Sequence, residues 1–138
     1  MDATPRYPMD EINTITEKII GCCYTVGNTL GCGFLEKVYE NALAIEIRKI
    51  GLQVEQQYPI PVYYFGINVG EYIADLLVEN RVLVELKVVI ELDDIHVAQC
   101  LNYLAATKMP LCLLVNFFRP RLEIKRVIAR TAKLPNPI

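Results

Sequence analysis

Val82-Leu83-Val84-Glu85-Leu86-Lys87-Val88-Val89 is an aliphatic run that two charged residues, Glu85 and Lys87, interrupt near its middle. A continuous aliphatic run of this length is typical of a strand that is buried on both faces. Side chains alternate along a strand, so Glu85 and Lys87 point to the same face. Since a buried charge is costly unless it is paired, hydrogen-bonded or bound to a metal, the run predicts a polar site on a buried strand.

A second predicted strand, at residues 72–78, contains a single acid, Asp75. The intervening Glu79-Asn80-Arg81 predicts a three-residue hairpin loop with its asparagine in a left-handed conformation. If the two strands pair directly across this loop, Asp75 lies opposite Glu85. Two carboxylates about 5 Å apart repel each other by roughly 4 kcal/mol at an effective dielectric constant near 20, and a divalent cation would remove that repulsion. A slip of one residue would instead move Asp75 to the other face of the sheet.

The composition predicts a single domain over residues 1–138, because 53% of the 138 residues are hydrophobic and can fill one core. No apolar run approaches the length of about 18 residues that a membrane span needs, and the N-terminus lacks the features of a signal peptide. We therefore expect a cytoplasmic protein without a membrane partner. Five cysteines without C-x-x-C spacing predict reduced core thiols in preference to a zinc or disulfide framework.

The charges are unevenly distributed, although the net charge of the chain is only −2. Residues 108–138 contain one acid, Glu123, and seven basic residues: Lys108, Arg119, Arg121, Lys125, Arg126, Arg130 and Lys133. A basic region of this kind can hold phosphate, whereas the acidic remainder can hold a metal. A solvated charged surface explains the same pattern, since the sequence pI of 5.4 is lower than that of a dedicated nucleic-acid binder.

Hydrophobic periodicity predicts helices near residues 10–30, 34–50 and 93–107 and strands near residues 54–64, 69–78, 82–89, 111–117 and 122–129. The order α-α-β-β-β-α-β-β indicates an α/β fold. Pro59 and Pro61 restrict the first strand to an edge of the sheet or a bulge.

Two of these helices carry polar stripes. Glu36 and Tyr39 face the same way on the second helix, directly after a glycine-flanked turn. His96, Gln99 and Tyr103 are spaced by three and four residues on the third helix and form a second stripe. A solvent-facing surface explains any one of these residues, but together with the acids and Lys87 they indicate a functional site.

Three motifs resemble those of known nucleases. Asp75, followed after nine residues by Glu85-Leu86-Lys87, resembles the D…ExK signature of the PD-(D/E)XK nuclease superfamily. The segment from Gln99 to Tyr103 resembles the Q-x-x-x-Y helix motif of its exonuclease-like branch. The segment from Gly33 to Tyr39 resembles the motif that gives the GxxExxY proteins their name, and the similarity extends over residues 9–128. Alanine stands where many members have a proline before the first acid, at a position that varies within the superfamily.

The resemblance implies a restriction-endonuclease-like core, with a mixed central sheet flanked by helices, and a nuclease that depends on Mg²⁺ or Mn²⁺. Under it the metal ligands are Asp75, Glu85, the Leu86 carbonyl and Glu36, which offer the oxygen atoms that these ions prefer. Lys87 would orient the attacking water or offset charge on the phosphate, while Gln99 and Tyr103 would position phosphate or water. The expected catalytic residues are therefore Glu36, Asp75, Glu85, Lys87, Gln99 and Tyr103.

The same resemblance implies nucleic acid as the partner, with DNA expected ahead of RNA, and leaves a homodimer or larger assembly open. The expected substrate contacts are Tyr39, His96, Arg119 and Arg121, although a lone histidine is more often structural. One alternative is a non-catalytic nucleic-acid-binding or assembly module that keeps the nuclease fold. Another is a metal-dependent enzyme that acts on a different phosphate ester.

Overall fold

A computed structural model of the chain describes residues 9–130. The helices are α1 (Met9–Leu30), α2 (Glu36–Lys49) and α3 (Asp94–Thr107), and the strands are β1 (Val54–Tyr64), β2 (Ile67–Val78), β3 (Val82–Lys87), β4 (Leu111–Asn116) and β5 (Glu123–Ile128). This order confirms the predicted α-α-β-β-β-α-β-β arrangement and the α/β class. The two ends of the expected 1–138 domain, with Lys133, lie outside the described residues.

The strands form one mixed sheet in the order β1-β2-β3-β4-β5. β3 and β4 are parallel, and α3 makes the crossover between them that parallel neighbours require. The other neighbours are antiparallel. β1 lies at an edge, as Pro59 and Pro61 predicted, and the whole arrangement is consistent with a restriction-endonuclease-like fold.

The hydrophobic core has two layers, one on each face of the sheet. On one face α1 and α2 pack on Val84 and Leu86 of β3, together with their neighbours on β2 and β4. On the other face α3 packs on Leu83. β3 is therefore buried on both faces, as its aliphatic sequence predicted.

The ends of the helices follow from local sequence. Gly31 adopts a φ of +74° directly after α1, and its N–H donates to the Gly27 carbonyl at 2.9 Å. The Asp93 side chain caps α3 by accepting from the Ile95 N–H at 3.0 Å. α3 ends where Lys108 adopts a left-handed conformation, two residues before Pro110. Within the described part of the chain, no helix is both long and apolar enough to cross a membrane.

The β2–β3 hairpin has the predicted register, because Leu76 pairs with Val84 and Val78 pairs with Val82. Asn80 is left-handed as predicted, and Glu79 is left-handed as well, with φ values of +55° and +53°. Two successive left-handed residues are typical of a type I′ turn, and the Arg81 N–H closes it by donating to the Val78 carbonyl at 3.0 Å. Because Val78 pairs with Val82, the predicted three-residue loop is confirmed. The register makes Asp75 and Glu85 the next opposing positions.

The cysteines are free thiols, and four of them are buried: Cys22, Cys23, Cys100 and Cys112. The prediction of core thiols is confirmed for these four and is wrong for Cys32, which is exposed. Cys32 lies in the turn between α1 and α2, so no helix packs it against the sheet.

Candidate functional site

Asp75 and Glu85 form a pair of buried carboxylates on adjacent strands. The Asp75 N–H donates to Glu85 Oε1 at 3.2 Å, and the Leu86 N–H donates to Asp75 Oδ2 at 2.7 Å. Only 9% of Asp75 and 5% of Glu85 is exposed to solvent. Each strand therefore holds the acid of the other through a backbone hydrogen bond, which fixes the two carboxylates next to each other.

Burial and the neighbouring acid both disfavour negative charge at this pair. Burial and then the Asp75 carboxylate raise the pKa of Glu85 to about 8 from an ordinary value of 4.5. Burial also raises the pKa of Asp75, although its hydrogen bond from Leu86 opposes that shift. Lys87 Nζ lies 3.9 Å from Glu85 Oε2. At that distance the ammonium group offsets only part of the penalty, so the site would favour an additional cation.

A shallow pocket of about 520 Å³ opens beside this acid pair, between the end of β3 and the exposed face of α3. It is lined by Tyr72, Lys87, His96, Gln99 and Tyr103, among others. The Tyr103 hydroxyl donates to the Ile73 carbonyl at 3.3 Å and lies 3.5 Å from Glu85 Oε2. The structure therefore brings four predicted site residues, Lys87, His96, Gln99 and Tyr103, to one pocket next to the acids.

Asn102 also lines this pocket, although it is not among the predicted site residues. Its spacing of three residues from Gln99 places both amides on one face of α3, which is the signal that could have identified it.

His96 has a structural role in addition to its place at the pocket. Its Nδ1 accepts a hydrogen bond from the Asp93 N–H at 3.0 Å, which completes a capping box at the start of α3. Only Nε2 then remains for a ligand. The predicted phosphate contact of His96 stays a prediction, and the structural alternative has direct support.

The predicted set of metal ligands is only partly assembled. Among residues 9–130, no three acidic, histidine or cysteine side chains lie close enough together to hold a metal ion. Asp75, Glu85 and the Leu86 backbone are adjacent, whereas Glu36 lies at the start of α2 outside this set. Glu36 is nevertheless close enough for electrostatic coupling, because burial and then the Asp75 carboxylate raise its pKa.

Glu40 is a further buried acid near the site, one helical turn after Glu36, and it is not among the predicted site residues. Lys37 Nζ lies 3.2 Å from both of its carboxylate oxygens. The side-chain amides of Gln56 and Gln57 donate to Oε2 and Oε1 at 2.7 and 2.8 Å. Glu40 is thus fully hydrogen-bonded within the chain, and its charge contributes to the raised pKa of Asp75.

The contact of two consecutive glutamines with one carboxylate requires an unusual backbone. Neighbouring side chains on a regular strand point to opposite faces. Gln57 has a φ of +56°, and it stands in β1 at the position opposite Asp75 between the regular pairs Gln56–Leu76 and Tyr58–Ala74. This distortion, which is sparsely populated for a residue other than glycine, directs both amides to the carboxylate.

Tyr39 is fully buried, so its predicted contact with substrate is corrected. Its hydroxyl donates to the Gly31 carbonyl at 2.6 Å and accepts from the Phe34 N–H at 3.3 Å. Its ring stacks on Phe117 with a centroid distance of 4.7 Å. Because Tyr39 faces the core from the first turn of α2, it fixes the loop that precedes Glu36.

Arg119 and Arg121 are exposed in the loop between β4 and β5. Lys87 pairs with Asn116 at the C-terminal ends of the parallel strands β3 and β4. The loop after β4 therefore begins at the same end of the strands as Lys87. The Arg119 guanidinium lies 5.7 Å from the centre of the Phe118 ring. Both arginines are therefore exposed near the strand ends at which the acid pair and the pocket lie.

A family model of the PD-(D/E)XK nuclease superfamily matches residues 13–127, a range that includes every predicted site residue. The match covers most of the chain. No curated protein and no solved structure matches the chain in the corresponding comparisons.

Proposed function

The chain belongs to the PD-(D/E)XK nuclease superfamily, and from this premise we propose that it is a divalent-metal-dependent nuclease that hydrolyses phosphodiester bonds in nucleic acid. Members of the superfamily are generally nucleases, and they typically use divalent metals. The segment from Gly33 to Tyr39 supports assignment to the GxxExxY proteins as the finer part of the proposal.

The buried pair of Asp75 and Glu85 is the observation that carries the proposal. Burying two adjacent carboxylates lowers the stability of the fold unless positive charge compensates them. The nearest cation in the described part of the chain is Lys87, at 3.9 Å from Glu85. An acid pair that is only partly compensated and lies beside a pocket is typical of a functional site.

The atoms at this pair fit Mg²⁺ or Mn²⁺. Both ions prefer hard oxygen ligands, which Asp75, Glu85 and the Leu86 carbonyl would supply. Asp75 Oδ2 and Glu85 Oε1 are held by backbone N–H groups, and no hydrogen bond from residues 9–130 reaches Asp75 Oδ1. A bound metal would activate water and stabilise negative charge on the phosphate.

The remaining residues of the pocket would bind and orient the substrate. Lys87 would bring its ammonium group to the scissile phosphate, where it offsets the negative charge that develops. Gln99 would donate a hydrogen bond from α3 to a phosphate oxygen or to the attacking water, and the Tyr103 hydroxyl would do the same on turning away from the Ile73 carbonyl. We retain His96 as a further contact through Nε2.

The basic residues near the C-terminal end suggest the path of the nucleic acid. Lys125 pairs with Leu114, which in turn pairs with Glu85, so the Lys125 and Glu85 side chains lie on the same face of the sheet. Arg126 lies on the other face and contacts Asn13 of α1. We therefore propose that Lys125 joins Arg119 and Arg121 in binding phosphate, whereas Arg126 is structural.

A non-catalytic nucleic-acid-binding or assembly module is the second candidate. The separation of Glu36 from the acid pair favours it, because the described residues do not bring three metal ligands together. A nuclease whose third ligand does not join the pair could keep the fold and bind nucleic acid without turnover.

Cleavage of end-labelled single-stranded DNA, duplex DNA and RNA with Mg²⁺ or Mn²⁺ separates the two candidates. Wild type should cleave at least one of these substrates, and Asp75→Asn, which keeps the shape of the side chain, should not. If wild type binds nucleic acid but cleaves none of them with either metal, the nuclease proposal fails and the binding module takes its place.

A further inference from the structure

The β1–β2 hairpin extends beyond the rest of the sheet. Within the described ladders, β3 pairs only with Leu76–Val78 of β2. β1 and β2 continue to pair with each other as far as Tyr64 and Ile67. We call residues 61–73 the hairpin arm, which projects as a two-stranded ribbon from the edge of the sheet beside the acid pair.

The hairpin arm exposes an unusual amount of apolar surface. Seven side chains are 45–70% exposed: Tyr63, Tyr64, Phe65, Ile67, Val69, Tyr72 and Ile73. Monomeric proteins seldom expose continuous apolar patches of more than a few hundred Å², and each aromatic side chain alone can bury roughly 150–250 Å². The total for these seven side chains is comparable with the roughly 800 Å² that each partner contributes to a stable protein interface.

The charge of this region disfavours nucleic acid as the occupant. Residues 54–78 contain the acids Glu55, Glu71 and Asp75 and no lysine or arginine. Binding of nucleic acid requires basic residues that neutralise phosphates. Within the arm itself Glu71 is the single charged residue. A protein surface of similar apolar character matches it better.

The backbone of the arm provides a further reason for association with a second copy. Of β2 residues 67–73, all except Val69 pair with β1 on one side, since a bulge shifts the register at Val69, and none of them has a β3 partner in the described ladders. A strand edge of this kind presents N–H and C=O groups that can pair with another strand. One of them, the Ile73 carbonyl, already accepts a hydrogen bond from the Tyr103 hydroxyl. Two identical edges can do so in antiparallel orientation about a twofold axis, which gives a closed, symmetric dimer.

We propose that the hairpin arm is a homodimer interface in which the free edges of two β2 strands pair antiparallel, with the twofold axis at Gly70. This register places Ile67 opposite the partner's Ile73 and Val69 opposite the partner's Glu71. It also keeps the two Glu71 carboxylates from standing directly opposite each other, which would be destabilising. The proposal does not depend on the nuclease activity.

The mass of the purified chain in solution tests the interface. Wild type should be a dimer at micromolar concentration, and Ile67→Lys with Val69→Lys should be a monomer, because both side chains are exposed and the lysines introduce like charges at the paired edge. The matched control, Ile45→Lys with Ile128→Lys, changes two side chains of 56% and 52% exposure outside the arm and should remain a dimer. A monomeric wild type, or an arm variant that remains dimeric, would overturn the proposal.

Disulfide formation tests the register. An added Cβ at Gly70 meets no atom within 4 Å, so Gly70→Cys should fold normally. Cα atoms of opposing antiparallel residues lie about 4.5–5.5 Å apart, which is within the disulfide range of about 4.4–6.8 Å. In a Cys32→Ser background that removes the exposed native thiol, oxidised Gly70→Cys should run as a covalent dimer and Asn68→Cys should not. A dimer that cross-links through residue 68, or through neither residue, would contradict this pairing.

Discussion

Two groups of buried acids lie side by side in this protein, and they differ in how their charge is compensated. Glu40 accepts hydrogen bonds from Lys37, Gln56 and Gln57. Asp75 and Glu85 accept hydrogen bonds mainly from backbone N–H groups, and Lys87 Nζ lies 3.9 Å from Glu85 Oε2. The charge of the first acid is fully compensated within the chain, whereas the charge of the pair is only partly compensated by Lys87.

This difference separates a structural acid from a functional one. An acid that serves only the fold is expected to be paired, because an uncompensated buried charge destabilises the native state. Glu40 meets this expectation and also fixes β1 against α2. The Asp75 and Glu85 pair does not meet it, so its arrangement is better explained by a cation that binds from outside the chain.

Substitution of the two lysines near these acids, Lys87 and Lys37, should give the largest difference in cleavage rate. Lys87→Ala should reduce the cleavage rate by about 10²-fold or more, because it removes a charge that stabilises the transition state, while metal affinity changes little. Single-turnover kinetics and metal titration measure the two effects separately. Lys37→Ala is the matched control and should change the rate by no more than about twofold, since its 57%-exposed side chain serves the structural group. Equal losses of cleavage rate in both variants would contradict the assignment of Lys87 to the functional acids and Lys37 to the structural one.

Glu40→Gln should destabilise the protein by about 2–3 kcal/mol, because the new amide N–H₂ would face the amide donors of Gln56 and Gln57. Urea denaturation of the metal-free protein measures this effect. Asp75→Asn should act in the opposite direction and raise the metal-free stability above about pH 8, where Glu85 is ionised and the two carboxylates repel each other. Destabilisation of similar size in both variants would show that the two groups are equally structural.

The stability of the metal-free protein should decrease as pH rises. The pKa of Glu85 is about 8 in the folded protein and 4.5 ordinarily, so the folded state retains this proton to a higher pH than the unfolded chain. The resulting stabilisation is complete below about pH 4.5 and is lost as pH rises through about 8. Between pH 6 and pH 9 the loss should be on the order of 2 kcal/mol.

Urea denaturation across this pH range, with Glu85→Gln as the control, measures the effect. The variant lacks the titrating carboxyl and should have a flatter profile. A wild-type profile that is already flat would mean that the acid pair is better compensated than its contacts indicate.

Much of this arrangement could be predicted from sequence because it depends on local patterns. The aliphatic run through β3 and the short loop at Asn80 determine the register, which places Asp75 beside Glu85. The role of Glu40 could not be predicted, because it depends on Gln57 of β1, whose left-handed backbone is set by tertiary packing.

Two further features of the structure were not predicted, for physical reasons of the same kind. Helical spacing places Tyr39 beside Glu36 but cannot show that Phe117, directly after β4, covers its ring. Periodicity predicts the strands of the β1–β2 hairpin but does not reveal that β3 leaves β2 unpaired before Leu76. In both cases the burial of a residue depends on an element that is distant in sequence.

The smallest effect on stability should come from the basic loop. Arg119→Ala with Arg121→Ala should flatten the log–log dependence of nucleic-acid affinity on salt by roughly one to two units, because each phosphate contact contributes about −0.9 to the slope. The melting temperature should change by no more than about 2 °C, since exposed charges contribute little to stability. Arg126→Ala, on the other face, should leave the slope unchanged. If Arg126→Ala flattens the slope and the double variant does not, the nucleic acid binds on the α1 side.

Calorimetric titration of wild type and Asp75→Asn with Mn²⁺ and Mg²⁺ tests the central claim most directly, with Lys37→Ala as a folded control. The partly compensated acid pair predicts that wild type and Lys37→Ala bind metal and that their melting temperatures rise with metal concentration, as mass action requires. Asp75→Asn should show neither effect. Absence of metal binding in wild type, or equal binding in wild type and Asp75→Asn, would contradict the account.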